Sequence, residues 1–292
     1  MRRFLAIART AAIETMSQPL SAILFPVSFF AVHLLPAMQY HRFGAPGRLA
    51  RETGLSALFV FGLLFAVPAA VRAIGRELES GAAAAVLALG VSRTQYFMAR
   101  MAGVLAVFAL FFSGVFSATL LSSFSCVKAA GVFVEHGVVR VWGPAFAAGV
   151  AGAIAAFAAA ALLNRFANRR FCMWTCLFAV LFQLPGLFLL ENSTPLADTA
   201  PAFVSLFFAS MVYISMAGAL STKFGVNGVA VCVSALVAAG FLFPVGFLAP
   251  DMRVFWLEEG SFAVAMPLAA GAALSVLWWI AGCILLERKE LG

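Results

Sequence analysis

The stretch Ala102-Gly-Val-Leu-Ala-Val-Phe-Ala-Leu-Phe-Phe-Ser-Gly-Val-Phe-Ser-Ala-Thr-Leu-Leu-Ser-Ser123 decides the fold. It carries no ionisable side chain, and wound as an α-helix it reaches about 33 Å, enough to cross roughly 30 Å of hydrocarbon. A helix also satisfies its own backbone polar groups, which a segment must do where there is no water. Runs of this kind recur at about 18–38, 55–74, 102–123, 143–163, 171–190, 201–221, 227–248 and 262–286. The sequence therefore predicts an all-α, polytopic transmembrane helix bundle, one domain over 1–292, with about eight spans. Six or seven spans stay open, because only a short segment around Thr222 to Val226 parts the sixth run from the seventh.

Composition agrees. Hydrophobic residues make up 64% of the chain and charged ones 11%, with a mean hydropathy of +1.03; soluble domains carry about 25% charged residues. The net charge of +7 does not point to nucleic acid, since the basic residues sit in short clusters between apolar runs and not along one polar face. They read as topology signals and contacts to anionic lipid. Of the five cysteines, Cys172, Cys176, Cys232 and Cys283 lie in apolar runs and Cys126 in a loop, so neither a disulfide framework nor a metal cluster is expected.

Met1 to Ser17 begins with Arg2, Arg3 and Arg9 and repeats apolar side chains at Phe4, Leu5, Ala8, Ala12 and Met16, the spacing of a helix lying in the membrane interface. No long apolar core precedes Arg9 and Glu14, so it is not read as a signal peptide. Ser17 is expected to cap the first span, with Pro19 in its first turn. With the amino terminus inside, 13 of the 19 Lys and Arg residues fall on the cytoplasmic side, which predicts both termini in the cytoplasm. The Ala- and Gly-rich run 143–163 is expected to be buried in the bundle. Pro26, Pro68, Pro185, Pro244 and Pro267 are expected to kink or break their spans.

No Asp, Glu, Lys or Arg stands near the middle of a span; His33 lies toward an outer end and reads as interfacial, and Gln183 is the main strongly polar side chain at depth. Proton relays, ion paths and intramembrane hydrolysis need such groups, so an enzyme or a secondary transporter is disfavoured, and no cofactor is expected. Ser113, Ser117, Ser210 and Ser215 read as helix-packing hydrogen bonders. No Gly-x-x-x-x-Gly-Lys-Ser/Thr phosphate cradle occurs. Any ATP-driven work would draw its energy from another chain.

The informative loop is 75–100. Arg76, Glu77 and Glu79 open it, Ala82 to Leu89 has high helix propensity but is too short to span, Gly90 reads as a stop, and Ser92 as the cap of the next helix, with Tyr96 and Arg100 at i+4 and i+8. A short helix docking on a partner protein and an amphipathic hairpin lying on lipid fit this pattern equally.

The loop resembles an element of the type 2 ATP-binding-cassette permeases (ABC-2 exporters), in which Glu-x-Glu-x-Gly-Thr leads through a short apolar helix to a Pro-Val/Leu-Ser-Arg turn and a Lys opening the third span. Glu77, Glu79 and Gly81 stand in the first part, Val91, Ser92 and Arg93 in the turn, and Arg100 near the Lys. The amphipathic start, the basic loop Asn164 to Arg170 and the charged tail Glu287 to Glu290 agree; Ala82 replaces Thr, Gly90 replaces Pro, and eight spans exceed the customary six. The resemblance implies a non-enzymatic permease subunit of a bacterial inner-membrane exporter, a homodimer or paired with a second permease, driven by a separate ATPase subunit. That ATPase would dock on the coupling loop through Arg76, Glu77, Glu79, Gly81, Ser92, Arg93 and Arg100, with Glu77, Glu79 and Arg93 making the charge contacts. A non-transporting scaffold or assembly protein, or a secondary transporter, is the alternative reading. The 31 Phe residues fit a hydrophobic or amphipathic substrate and lipid-facing surface equally.

Overall fold

The computed structural model of the chain describes residues 1–38, 46–130, 143–184, 194–242 and 262–289, and among these every extended element is a helix. In chain order they are α1 (Arg2–Met16), α2 (Pro19–Met38), α3 (Pro46–Val71), a π turn (Arg72–Arg76), α4 (Glu77–Glu79), α5 (Ala82–Ala88), α6 (Arg93–Ala130), α7 (Gly143–Ala167), α8 (Phe171–Gln183), α9 (Thr194–Leu220), α10 (Val226–Leu242) and α11 (Phe262–Glu287).

Among the described residues, six segments are long and apolar enough to cross a membrane: Pro19–Ala37, Leu49–Glu79, Arg93–Ser125, Phe146–Ala167, Ala200–Leu220 and Ala269–Glu287. This is the pattern of an integral membrane protein. The remaining two expected spans appear as shorter apolar helices, Phe171–Gln183 and Asn227–Gly240; their expected continuations over 185–190 and 243–248 lie outside the described residues.

Several local expectations change. Cys126 lies on α6, which runs on to Ala130, and not in a loop. Pro26, Pro68 and Pro267 sit inside α2, α3 and α11 without ending them, while Pro185 and Pro244 lie outside the described residues. The cap at Ser17 does not form: α2 opens at Pro19, and the Ser17 hydroxyl makes no hydrogen bond among the described residues.

The chain divides into two compact units. The first comprises Met1–Thr15, Leu63–Phe108 and Val204–Gly292. Phe108 links α3 to α9 through ring contacts with Phe65 at 6.3 Å and Phe207 at 5.2 Å. Trp279 Nε1 on α11 donates to Ser215 Oγ on α9 at 2.9 Å. Of the four serines read as helix-packing donors, Ser215 alone bonds across helices; Ser113 and Ser117 return to carbonyls of their own helix, and Ser210 finds no partner among the described residues. Helix α1 packs on α6 at Gly103, where a Cβ would stand 2.3 Å from the Ala8 carbonyl oxygen and 2.7 Å from Ala11 Cβ.

The second unit comprises Met16–Gly62 and Ala109–Phe203. Helices α2, α7 and α8 pack against one another, and Phe25, Phe29 and Phe111 meet with centroids 4.9 to 6.3 Å apart. His33 is buried within the protein. Its Nε2 lies 2.9 Å from Gln183 Oε1, and Gln183 Nε2 donates to the Gly149 carbonyl at 3.1 Å, so α2, α7 and α8 share one polar node. The expectation that α7 is buried fails: 28% of the Phe146–Ala167 span is covered by protein, against 72% for Ala200–Leu220. Small apolar residues suit helix contact and lipid alike, and here α2 and α8 cover only one side.

Gly103→Ala tests the α1 contact. The atom in the way is main chain and cannot rotate aside, so the expected cost is about 1–3 kcal/mol. At Gly228 the nearest atom to an added Cβ is 3.4 Å away, and Gly228→Ala should be neutral or stabilising by under about 1 kcal/mol. Unfolding midpoints of the two variants in detergent measure the difference.

Candidate functional site

The described residues offer little covalent chemistry; among them no group of three or more His, Cys, Asp or Glu side chains could hold a metal ion. The charged side chains gather instead on the loop between the second and third spans, within the first unit.

Local sequence shapes this loop. Gly81 (φ +74°) and Gly90 (φ +77°) are left-handed and bracket α5, a conformation that costs glycine nothing. Ser92 then starts α6: its Oγ accepts the Gln95 N–H at 3.1 Å and its carbonyl accepts the Tyr96 N–H at 2.9 Å. Helix α5 ends at Ala88, one residue short of the expected Leu89.

Charge fixes the loop in place. The Glu77 carboxylate accepts hydrogen bonds from the Tyr96 hydroxyl and from Arg100 Nη2, while Arg100 Nη1 donates to Glu14 Oε2 on α1 at 2.7 Å. The Arg100 guanidinium carbon also lies 5.7 Å from the Tyr96 ring centroid. Arg100 is 5% exposed, and the Glu77 and Glu14 side chains are 16% and 49% exposed. A guanidinium taken this far out of water needs counter-charge, and two carboxylates supply it.

Two further clamps tie the loop to the ends of the chain. Arg3 Nη1 on α1 donates to the Leu89 and Gly90 carbonyls at 2.9 and 3.4 Å, closing the far end of α5. Arg93 Nη1 reaches the Leu286 and Glu287 carbonyls at the end of α11 and the Lys289 carbonyl just beyond it, at 3.4, 2.8 and 2.7 Å. Carbonyls at a helix end lack the next turn's N–H groups, and the guanidinium serves in their place. Thr94 Oγ1 donates to Glu287 Oε1 at 2.7 Å, and Lys289 Nζ to the Thr222 carbonyl at 2.8 Å.

The seven residues picked from sequence thus divide. Glu77 and Arg100 meet in one ion pair, Arg93 holds α11, and Gly81 and Ser92 shape the backbone. Arg76 and Glu79 are exposed, on the same loop as exposed Ala82, Ala84, Ala85 and Ala88 and Leu89, which is 71% exposed. Sequence reasoning missed Glu14, Arg3 and the binding role of Tyr96. Two signals were present: Tyr96 and Arg100 share a helix face at i, i+4, and Glu14 is the only acid in the first seventeen residues.

Fold and site together define an all-helical membrane protein with a small surface helix tied by charge to its first and last helices. No protein-family model, curated protein or solved structure matches the chain.

A double-mutant cycle ranks the two ion pairs. Coupling between Glu77 and Arg100 should reach about 3 kcal/mol, because removing either partner strands a buried charge. Coupling between the half-exposed Glu14 and Arg100 should stay under about 1 kcal/mol. Glu77→Gln, Glu14→Gln, Arg100→Met and their pairs, unfolded in detergent, give both values, and equal couplings would contradict this ranking.

Proposed function

We propose that the chain is the membrane-spanning permease subunit of an ABC-type exporter, with α5 as the helix on which a separate ATP-hydrolysing subunit docks. One observation carries the reading: a short helix with an exposed crown stands on a loop whose buried Arg100 is ion-paired within the chain. Such an element accepts a push at Leu89 and Glu79 and passes it, through Glu77 and Arg100, into the start of the third span. The exporter resemblance of Glu77, Glu79, Gly81 and Val91 to Arg93 supports the same assignment.

On this reading the loop and both termini face the cytoplasm of a bacterial inner membrane, and the permease works as a dimer or beside a second permease. The docking contacts shift from those expected on charge alone. Glu77, Arg93 and Arg100 hold the loop, and Glu79, Leu89 and the alanine crown of α5 meet the ATPase. The spans lack mid-membrane acids and bases among the described residues, which favours energy supplied by another chain over coupling to an ion gradient.

Leu89→Asp and Glu79→Lys should each cut recovery of the ATPase subunit with affinity-tagged, detergent-solubilised protein by tenfold or more, as truncation at an interface hot spot does. Both residues are exposed, so the unfolding midpoint should stay unchanged. Wild-type protein that recovers no ATPase, or a Leu89→Asp variant that recovers as much as wild type, overturns the proposal.

A further inference from the structure

The last turn of α7 and its connection to α8, in the second unit, carry Arg165, Phe166, Arg169 and Arg170, all exposed, with Phe166 82% exposed. Its backbone is held rather than loose. Asn168 adopts a left-handed φ of 48°, Asn164 Nδ2 donates to the Arg169 carbonyl at 2.7 Å, and the Arg169 N–H returns to the Leu163 carbonyl at 3.5 Å. These bonds bring three guanidinium groups out of one tight turn.

No Asp or Glu occurs anywhere from Leu162 to Gln183, and none of the three arginines has an ion-pair partner among the described residues. The span Phe146–Ala167 ends inside this turn. A segment of that length reaches about 33 Å, so its end lies at headgroup depth. The anions available there to an unpaired guanidinium are lipid phosphates, which its planar fork matches in bidentate geometry. An exposed aromatic at the same level suits the interface.

Below the turn the surface is suited to a lipid tail. Trp174, Phe178 and Phe182 follow one another at i, i+4 and i+8 on α8, with centroid spacings of 5.5 and 5.7 Å. All three are half-buried, so part of each side chain is accessible from outside the protein. The ladder starts four residues after Arg170 and covers about 12 Å of helix.

We propose that the α7–α8 turn binds an anionic phospholipid, its phosphate on Arg165, Arg169 and Arg170 and one acyl chain along Trp174, Phe178 and Phe182. A zwitterionic lipid carries its own cation beside the phosphate and competes poorly. The site does not depend on the exporter reading.

The test uses the full chain in neutral-detergent micelles doped with equal amounts of dioleoylphosphatidylglycerol and dioleoylphosphatidylcholine, with retained lipid counted by native mass spectrometry. Wild type should retain phosphatidylglycerol in preference by roughly tenfold or more, from about fivefold per arginine near a charged headgroup. The R165S/R169S/R170S variant should lose that preference at an unchanged unfolding midpoint. The R165K/R169K/R170K variant, which keeps charge but not the fork, should fall between. Soluble glycerol phosphate at millimolar concentration should displace little, because it lacks the acyl chain. Equal retention of the two lipids by wild type, a preference surviving in the serine variant, or full displacement by glycerol phosphate overturns the proposal.

Discussion

Arg100 is the residue around which the first unit is organised. It stands two turns into α6, nearly sealed from water, where an unpaired guanidinium would cost several kcal/mol. The two carboxylates that meet it come from different places, Glu77 after the π turn and Glu14 near the end of α1. Pairing with both therefore decides where the loop lies and where α1 lies. The close approach at Gly103 is the steric counterpart: α1 can bring Glu14 to Arg100 because nothing projects between the two backbones. With those positions set, Arg3 falls on the last carbonyls of the α5 segment, and the short helix is presented outward.

What was legible in the sequence follows the range of the forces involved. Long apolar runs announce themselves, since the bilayer sets their length and composition. The Gly90 stop and the Ser92 cap were legible too, because both act within a few residues of backbone. The partners of Arg93 and Arg100 were not. Arg93 bonds carbonyls up to 196 positions away and Arg100 an acid 86 positions away, and a single sequence carries no signal for such pairings. The same gap hid the intramolecular partners of Glu77 and Arg93, which read from sequence only as charges for a partner protein. The exposure of α7 was illegible for another reason: a methyl group facing lipid and one facing a neighbouring helix look alike in composition.

The second unit shows how sparingly polarity is used within the apolar segments. His33 and Gln183 complement each other, and the amide that remains finds the Gly149 carbonyl. Ser122 on α6 donates to the Val32 carbonyl at 3.0 Å, adding a cross-helix bond beside that node. Polar groups placed in this way orient helices that apolar packing alone would leave free to rotate. They do so without a charge that would have to be carried into hydrocarbon.

The π turn at Arg72–Arg76 bears on how this architecture can change. A π turn holds one residue more than the α-helix it interrupts, so everything after it is rotated by about 100° relative to a regular continuation. Glu77, directly after the turn, faces Arg100 in that rotated register. Loss of a single residue here would restore a regular helix and turn Glu77 away from its partners, although no side chain in the cluster had been altered. The loop's wiring is thus encoded in a residue count as much as in residue types, and chain length at 72–76 is as tightly constrained as the charge at position 100.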